Sequence, residues 1–453
     1  MIGVVLAPGW YSGYVGFDHK FNHYGSDIGA LIQLDINNIT IVASDSTWKV
    51  STGPIVYSDF LMGETYYVNR QINGWLDVKF NDSKWKQVVT QDRNEVALVG
   101  DVSEPITTTL RLIPKSIHES NPGVFIFDFG QNFAGHCFLS IHVGQGPTRI
   151  QLRHGEVLDH LVNGSLYTAN LRSARATDTI VIKEKVTEEF YYQPSFTYHG
   201  FRYVELSGYG MIPKLTDIVA NVFHSGFSIN SHMKTSNELV NRLLMNIQWG
   251  LRSNFMSVPT DCPQRDERLG WTGDAETFAP TAVYNADLAA FYTKWMRDMR
   301  DSQGNNGGFP DIAPRALGTD GSPGWQDAGV IIPWVVYNTY GDDQIIKDNY
   351  IAMANFINYI KSVNPGFIWK NRLNNNYGDW LEINAHTNKV VLSTAYYARD
   401  AMLMSKMAAV IGKTEDAKMY SDLFQNISDA FNKNYVKSDG TIEGDTQSVI
   451  SIV

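Results

Sequence analysis

Cysteine is almost missing from this chain, with Cys137 and Cys262 the two present in 453 residues. Two thiols so far apart provide neither a disulfide framework nor a cysteine metal cluster. Long apolar runs are missing too: no stretch reaches the roughly 18 residues that a membrane-spanning helix needs. Basic runs are also absent, and the net charge of −10 argues against nucleic acid and against an anionic membrane as partners. A neutral or polar substrate fits better. No Gly-rich phosphate loop, H-E-x-x-H or G-x-S-x-G occurs, and the eleven histidines are scattered. Metal-assisted and serine-nucleophile mechanisms lose ground, and no cofactor is expected. The first residues, "MIGVVLAPGWYSGYVGF", lack the basic region of a secretory signal and read as a strand and turn from inside a domain.

Up to about residue 227 the chain carries short alternating runs punctuated by Gly, Pro, Asn and Asp, the pattern of β-sandwiches. "CFLSIHV" places Cys137, Leu139, Ile141 and Val143 on one face, with Ser140 and His142 on the other. "GDVSEPITTT" and "HESNPG" mark a soft boundary, dividing this half into modules 1–110 and 111–227. From about 228 the period becomes helical. Thr235 and Glu238 stand at capping-box spacing ahead of a stripe of Leu239, Leu243, Leu244, Ile247 and Leu251. Further helices are expected near 287–302, 326–340, 343–362, 393–412 and 415–434, joined by long Gly-, Asn- and Trp-rich loops of the kind that serve function.

The densest chemistry is "TDCPQRDERLGWTGD", Thr260 to Asp274, which carries Asp261, Asp266, Glu267 and Asp274 with two arginines and Trp271. A structural ion network is one reading. Against it, carboxylates crowded beside a tryptophan are a means of keeping one carboxyl protonated while others ionise, as glycoside hydrolysis requires. Seven of the eleven tryptophans lie in the helical half, and "GWQDA" and "GDWLE" set Trp325 beside Asp327 and Trp380 beside Asp379. Aromatic faces with flanking carboxylates suit a sugar ring. Trp249, Trp295 and Trp334 fall on helix stripes and are expected in the core.

These residues resemble the α-L-rhamnosidases of glycoside hydrolase family 78. "PGWYSG", "SDSTWKVSTGPI" and "GETYY" are similar to its N-terminal β-domain; "FDFGQNFAGHCFLSI", "LRHGEVLD", "NLRSARATDT" and "FTYHGFRYVELSGY" to its concanavalin-like domain. "VPTDCPQRDERLGWTGDAE", "GGFPDIAP", "GWQDAGVIIPW" and "GDWLE" with "STAYYA" are similar to its catalytic barrel. The resemblance implies two β-sandwich domains followed by an incomplete (α/α)6 barrel over 228–453, and inverting hydrolysis of terminal α-L-rhamnosides. It implies Glu267 as general acid; Asp261, Arg265 and Asp274 as holders of the sugar hydroxyls; and Trp271, Trp325, Asp327, Asp379 and Trp380 as the pocket lining. The expected partner is a rhamnose-containing glycoside. Family members place the general base, a glutamate in an x-T-x-W-E context, further downstream, and no such segment precedes Val453. The chain is therefore expected to be a fragment. A carbohydrate-binding protein without turnover, or a decayed enzyme, is the alternative.

Overall fold

The structure, a computed structural model, describes residues 2–91, 97–317, 321–444 and 446–448. Its contacts divide the chain into two compact units. One comprises Met1–Gly100, Thr107–His224 and Cys262–Arg268; the other comprises Asp101–Ile106, Ser225–Asp261 and Leu269–Val453.

The first unit is β-rich. Apart from a single-turn helix α1 (Gly9–Ser12), it is organised by a ten-stranded sheet. The order along the sheet is Ile55–Asp59, Gly63–Tyr67, Thr177–Ile182, Thr148–Gly155, His199–Ser207, Val124–Ile141, Ile218–Ser225 and Ile106–Leu112. The longest strand, Val124–Ile141, also pairs with Ser116–Asn121 and Phe190–Tyr192. Alternation explains which way it faces: Cys137, Leu139 and Ile141 are completely buried, as their spacing predicts. Val143 is exposed instead, because the strand ends at Ile141 and a turn follows. Gly63–Tyr67 joins Thr177–Ile182 in parallel, so residues from the front of the chain extend the later strands. By contrast, the hairpin Gln33–Ile36 and Ile39–Ala43 forms its own two-stranded sheet and is almost wholly exposed.

The second unit is helical, with α2 (Glu238–Asn254), α3 (Thr272–Asn285), α4 (Ala289–Asp301), α5 (Ala328–Tyr340), α6 (Gln344–Val363), α7 (Lys389–Val410) and α8 (Thr414–Tyr435). The last, α8, follows its apolar spacing except at Met419, which is exposed. On α8, Tyr420, Leu423, Ile427 and Phe431 are buried, each contributing roughly 1.5–3 kcal/mol of transfer free energy. The start of α2 differs from expectation. Asn237 caps it, its side chain accepting the Leu239 N–H at 2.9 Å, while Thr235 bonds to Asn237 and Asn241. The apolar stripe of α2 is buried at Leu251 but exposed at Leu239 and Leu243. Of the three tryptophans placed on helix stripes, Trp295 is fully buried, whereas Trp249 and Trp334 are half-buried. Among the described residues, no helix is long and apolar enough to cross a membrane.

Candidate active site

The charged motif is built as a loop on a neck. Leu269 N–H donates to Asp261 Oδ1 at 2.8 Å, and Asp261 N–H donates back to the Leu269 carbonyl at 3.0 Å. These two neck residues belong to the helical unit, while the loop they enclose, Cys262–Arg268, belongs to the β unit. Within the β unit each charged member of the loop has a fixed partner. Arg268 is almost completely buried, donating through Nη1 to the carbonyls of Phe60 and Tyr198 at 2.6 and 2.7 Å, with its guanidinium 4.6 Å over the Tyr198 ring. The Gly16 N–H bonds the Glu267 carbonyl at 2.9 Å.

The Glu267 side chain is largely buried, and two cations converge on one of its oxygens. Arg265 Nε lies 3.1 Å and Arg172 Nη2 3.0 Å from Oε2. Arg172 also donates to the carboxylate and the carbonyl of Asp266, and Ser173 N–H bonds the same carboxylate at 3.2 Å. Although burial alone would favour a neutral Arg172, its bonds to Glu267 and Asp266 outweigh that and hold the guanidinium above its ordinary value.

In the helical unit the structure gathers the aromatic candidates. Trp271, Trp325 and Trp380 surround Tyr377, at ring-centroid distances of 6.0, 4.6 and 5.6 Å. Trp380 is 61% exposed, so a large apolar face is open to solvent. Trp271 caps α3, whose first residue Thr272 donates N–H to the Asp311 carbonyl at 2.9 Å. Gly273 follows, and a Cβ there would stand 2.8 Å from the Trp325 ring. Glycine at that position lets the indole lie against the helix backbone. Beneath the rings, Asp311 is buried and accepts from Ser322 N–H at 2.6 Å, Tyr377 Oη at 3.2 Å and Asn375 Nδ2 at 3.3 Å. Burial pushes its carboxyl up to about 6 despite these bonds.

The other acids divide. Asp274 is exposed in the first turn of α3, where the helix dipole favours negative charge. Asp379 accepts from Thr387 Oγ1 at 3.1 Å and Ser448 Oγ at 2.5 Å. Asp327 is completely buried at the start of α5, accepting the Gly324 N–H at 2.7 Å. It shares its surroundings with Glu276 of α3 and Asp400 of α7; burial drives all three upward, and their mutual repulsion drives Glu276 and Asp400 further. In the helical unit burial thus raises Glu276, Asp400 and Asp311, which composition did not single out. Asp327, which it did, lies among them.

A second buried cluster, His154, Asp178 and His199, sits in the β unit with its donor atoms close enough to hold an ion. The two rings stack at 4.1 Å, and Asp178 is already shared between His199 Nε2 and the Glu64 N–H. Burial holds both imidazoles in their neutral form.

The sequence reasoning missed Tyr377, Asp311 and Arg172. Asp311 and Arg172 stood in quoted segments, "GGFPDIAP" and "NLRSARATDT", but nothing adjacent in sequence signalled their partners.

Three family descriptions match in succession. These are the alpha-L-rhamnosidase N-terminal domain over 1–110, the bacterial alpha-L-rhamnosidase concanavalin-like domain over 118–224, and the bacterial alpha-L-rhamnosidase 6 hairpin glycosidase domain over 229–452. The chain is 42% identical over 455 residues to an alpha-L-rhamnosidase of Streptomyces avermitilis, covering 99% of this chain and 43% of that protein. The crystal structure of the S. avermitilis enzyme complexed with L-rhamnose superposes with a TM-score of 0.92 at 41% identity, covering 99% of this chain and 43% of that one. The native rhamnosidase of Aspergillus terreus gives a TM-score of 0.89 at 32% identity, covering 98% of this chain and 53% of that one. The chain therefore spans about half the length of these relatives. With β domains carrying the acid loop and a six-hairpin helical domain carrying the aromatic cluster, it belongs to the bacterial α-L-rhamnosidases of glycoside hydrolase family 78.

Proposed function

We propose that this chain supplies the general acid and the sugar-binding residues for inverting hydrolysis of terminal α-L-rhamnosides. The observation that carries the proposal is the gathering of Trp271, Trp325 and Trp380 around Tyr377 with an acid held beneath. Rhamnose has a 6-methyl group and C–H faces that pack on indole and phenol rings, and hydroxyls that need charged or polar partners. Asp261, Arg265 and Asp274 take the hydroxyls and Asp379 completes the lining with the three tryptophans, while the completely buried Asp327 acts through its bond to the Gly324 N–H and not on the sugar. The S. avermitilis relative crystallised with L-rhamnose is consistent with that sugar as the ligand.

Glu267 is the acid. Its carboxylic proton passes to the glycosidic oxygen as the bond to the anomeric carbon breaks, so the aglycone leaves as a neutral alcohol. In the same displacement water attacks the opposite face of that carbon and gives its proton to a second carboxylate about 6.5–9.5 Å from the first, as inversion requires.

Release of 4-nitrophenol from 4-nitrophenyl α-L-rhamnoside tests the assignment in the full-length protein. Replacing Glu267 with Gln removes the proton while keeping the shape, and should lower kcat by about 10²–10⁴-fold. A Glu267→Gln enzyme as fast as wild type would show that another group supplies the proton, and a wild type that releases nothing would leave a sugar-binding role.

A further inference from the structure

We propose that Arg172 is the positioning residue for Glu267, holding its carboxyl in the orientation from which it reaches the glycosidic oxygen; the inference rests on Glu267 being the general acid. Arg172 lies 95 positions earlier in sequence, yet its Nη2 is 3.0 Å from Glu267 Oε2. The corner that presents it is anchored on both sides, because Leu171 and Ala174 are buried in one cluster with Leu61. Between those anchors Arg172 has φ 57° and ψ −115°, a conformation that a residue with a Cβ adopts only at a cost.

Asp266 fixes the guanidinium. Its carboxylate takes Arg172 Nε together with the Ser173 N–H and Oγ, while its carbonyl takes Arg172 Nη2 at 2.5 Å. One planar group thus spans Asp266 and Glu267, which a lysine's single ammonium cannot do in the same geometry. The side chain of Arg172 is 45% exposed, whereas the carboxylates it holds on Asp266 and Glu267 are 3% and 11% exposed. A strained backbone that brings one guanidinium onto both buried carboxylates points to placement of the acid.

The test is kcat and KM across pH for 4-nitrophenyl α-L-rhamnoside, using full-length wild type, Glu267→Gln, Arg172→Lys and Arg172→Gly. Glycine accepts the positive φ, so Arg172→Gly removes the backbone strain, and circular dichroism registers whether it folds. Both Arg172 variants should lose about 10²-fold in kcat through misplacement of the acid. KM should stay within about threefold of wild type. An inactive Glu267→Gln beside folded Arg172 variants with wild-type kcat would overturn the positioning role alone. An inactive wild type, or a fully active Glu267→Gln, would remove the reading of Glu267 and this inference with it. Should Arg172→Gly fail to fold, the kcat of Arg172→Lys decides the matter.

Discussion

Asp311 carries a carboxyl that is 0% exposed and accepts four hydrogen bonds, and burial still holds it up to about 6. Because its folded value lies above the ordinary 3.8, the protonated form stabilises the fold. That contribution is complete below about pH 4 and is lost as pH rises through about 6, a difference on the order of 2–3 kcal/mol. Asp311→Asn keeps a neutral polar group there. Its denaturation midpoint should match wild type near pH 4 and exceed it at pH 7; equal midpoints at both would show that Asp311 ionises without cost. At this scale the sequence was partly legible. Trp271, Trp325 and Trp380 stood out because large aromatics beside acids are unusual in loops. Tyr377 and Asp311 did not, since they meet across 66 positions; Tyr377 directly precedes "GDWLE", but nothing there signals Asp311 as its partner. Arg172 was hidden for the same reason.

The helices were legible where one face is apolar over several turns. The apolar spacing of α8 places Tyr420, Leu423, Ile427 and Phe431 together, and they are buried together. Strand partners were not legible, because alternation gives a strand's faces and not its neighbour. Nothing local indicates that Gly63–Tyr67 joins Thr177–Ile182 in parallel. The start of α3 is the element on which the aromatic cluster depends, for it carries the Trp271 cap, Thr272 tied to Asp311 and Gly273 against Trp325. Gly273→Ala would place a methyl 2.8 Å from the indole, closer than carbon atoms tolerate. The helix would keep its propensity, so the damage should fall on Trp325. Urea denaturation should show a loss of about 1–3 kcal/mol from overpacking, and the L-rhamnose affinity should fall when titrated by tryptophan fluorescence. An unchanged affinity would remove Trp325 from the sugar site.

Across the whole molecule, the acid loop is contiguous in sequence with the helical unit but takes its partners from the β unit. Arg268 bonds Phe60 and Tyr198, and Asp266 bonds Arg172 and Ser173. Residues 229–453 expressed alone would lose those bonds and leave the guanidinium and the carboxylate to water, with nothing to fix the loop. Hydrogen exchange across 262–268 should therefore be much faster in that segment than in the whole chain. Equal protection would mean that the loop orders itself. The β domains on this account are structural partners of the acid, beyond any sugar they bind.

The most direct test of inverting hydrolysis with Glu267 as the acid is to follow 4-nitrophenyl α-L-rhamnoside cleavage by proton NMR in the full-length protein, wild type beside Glu267→Gln. The account predicts that β-L-rhamnose appears first and mutarotates to the α-anomer later, and that the substitution abolishes both signals on the same timescale. First appearance of α-L-rhamnose, or an undiminished rate without the Glu267 carboxyl, would contradict it.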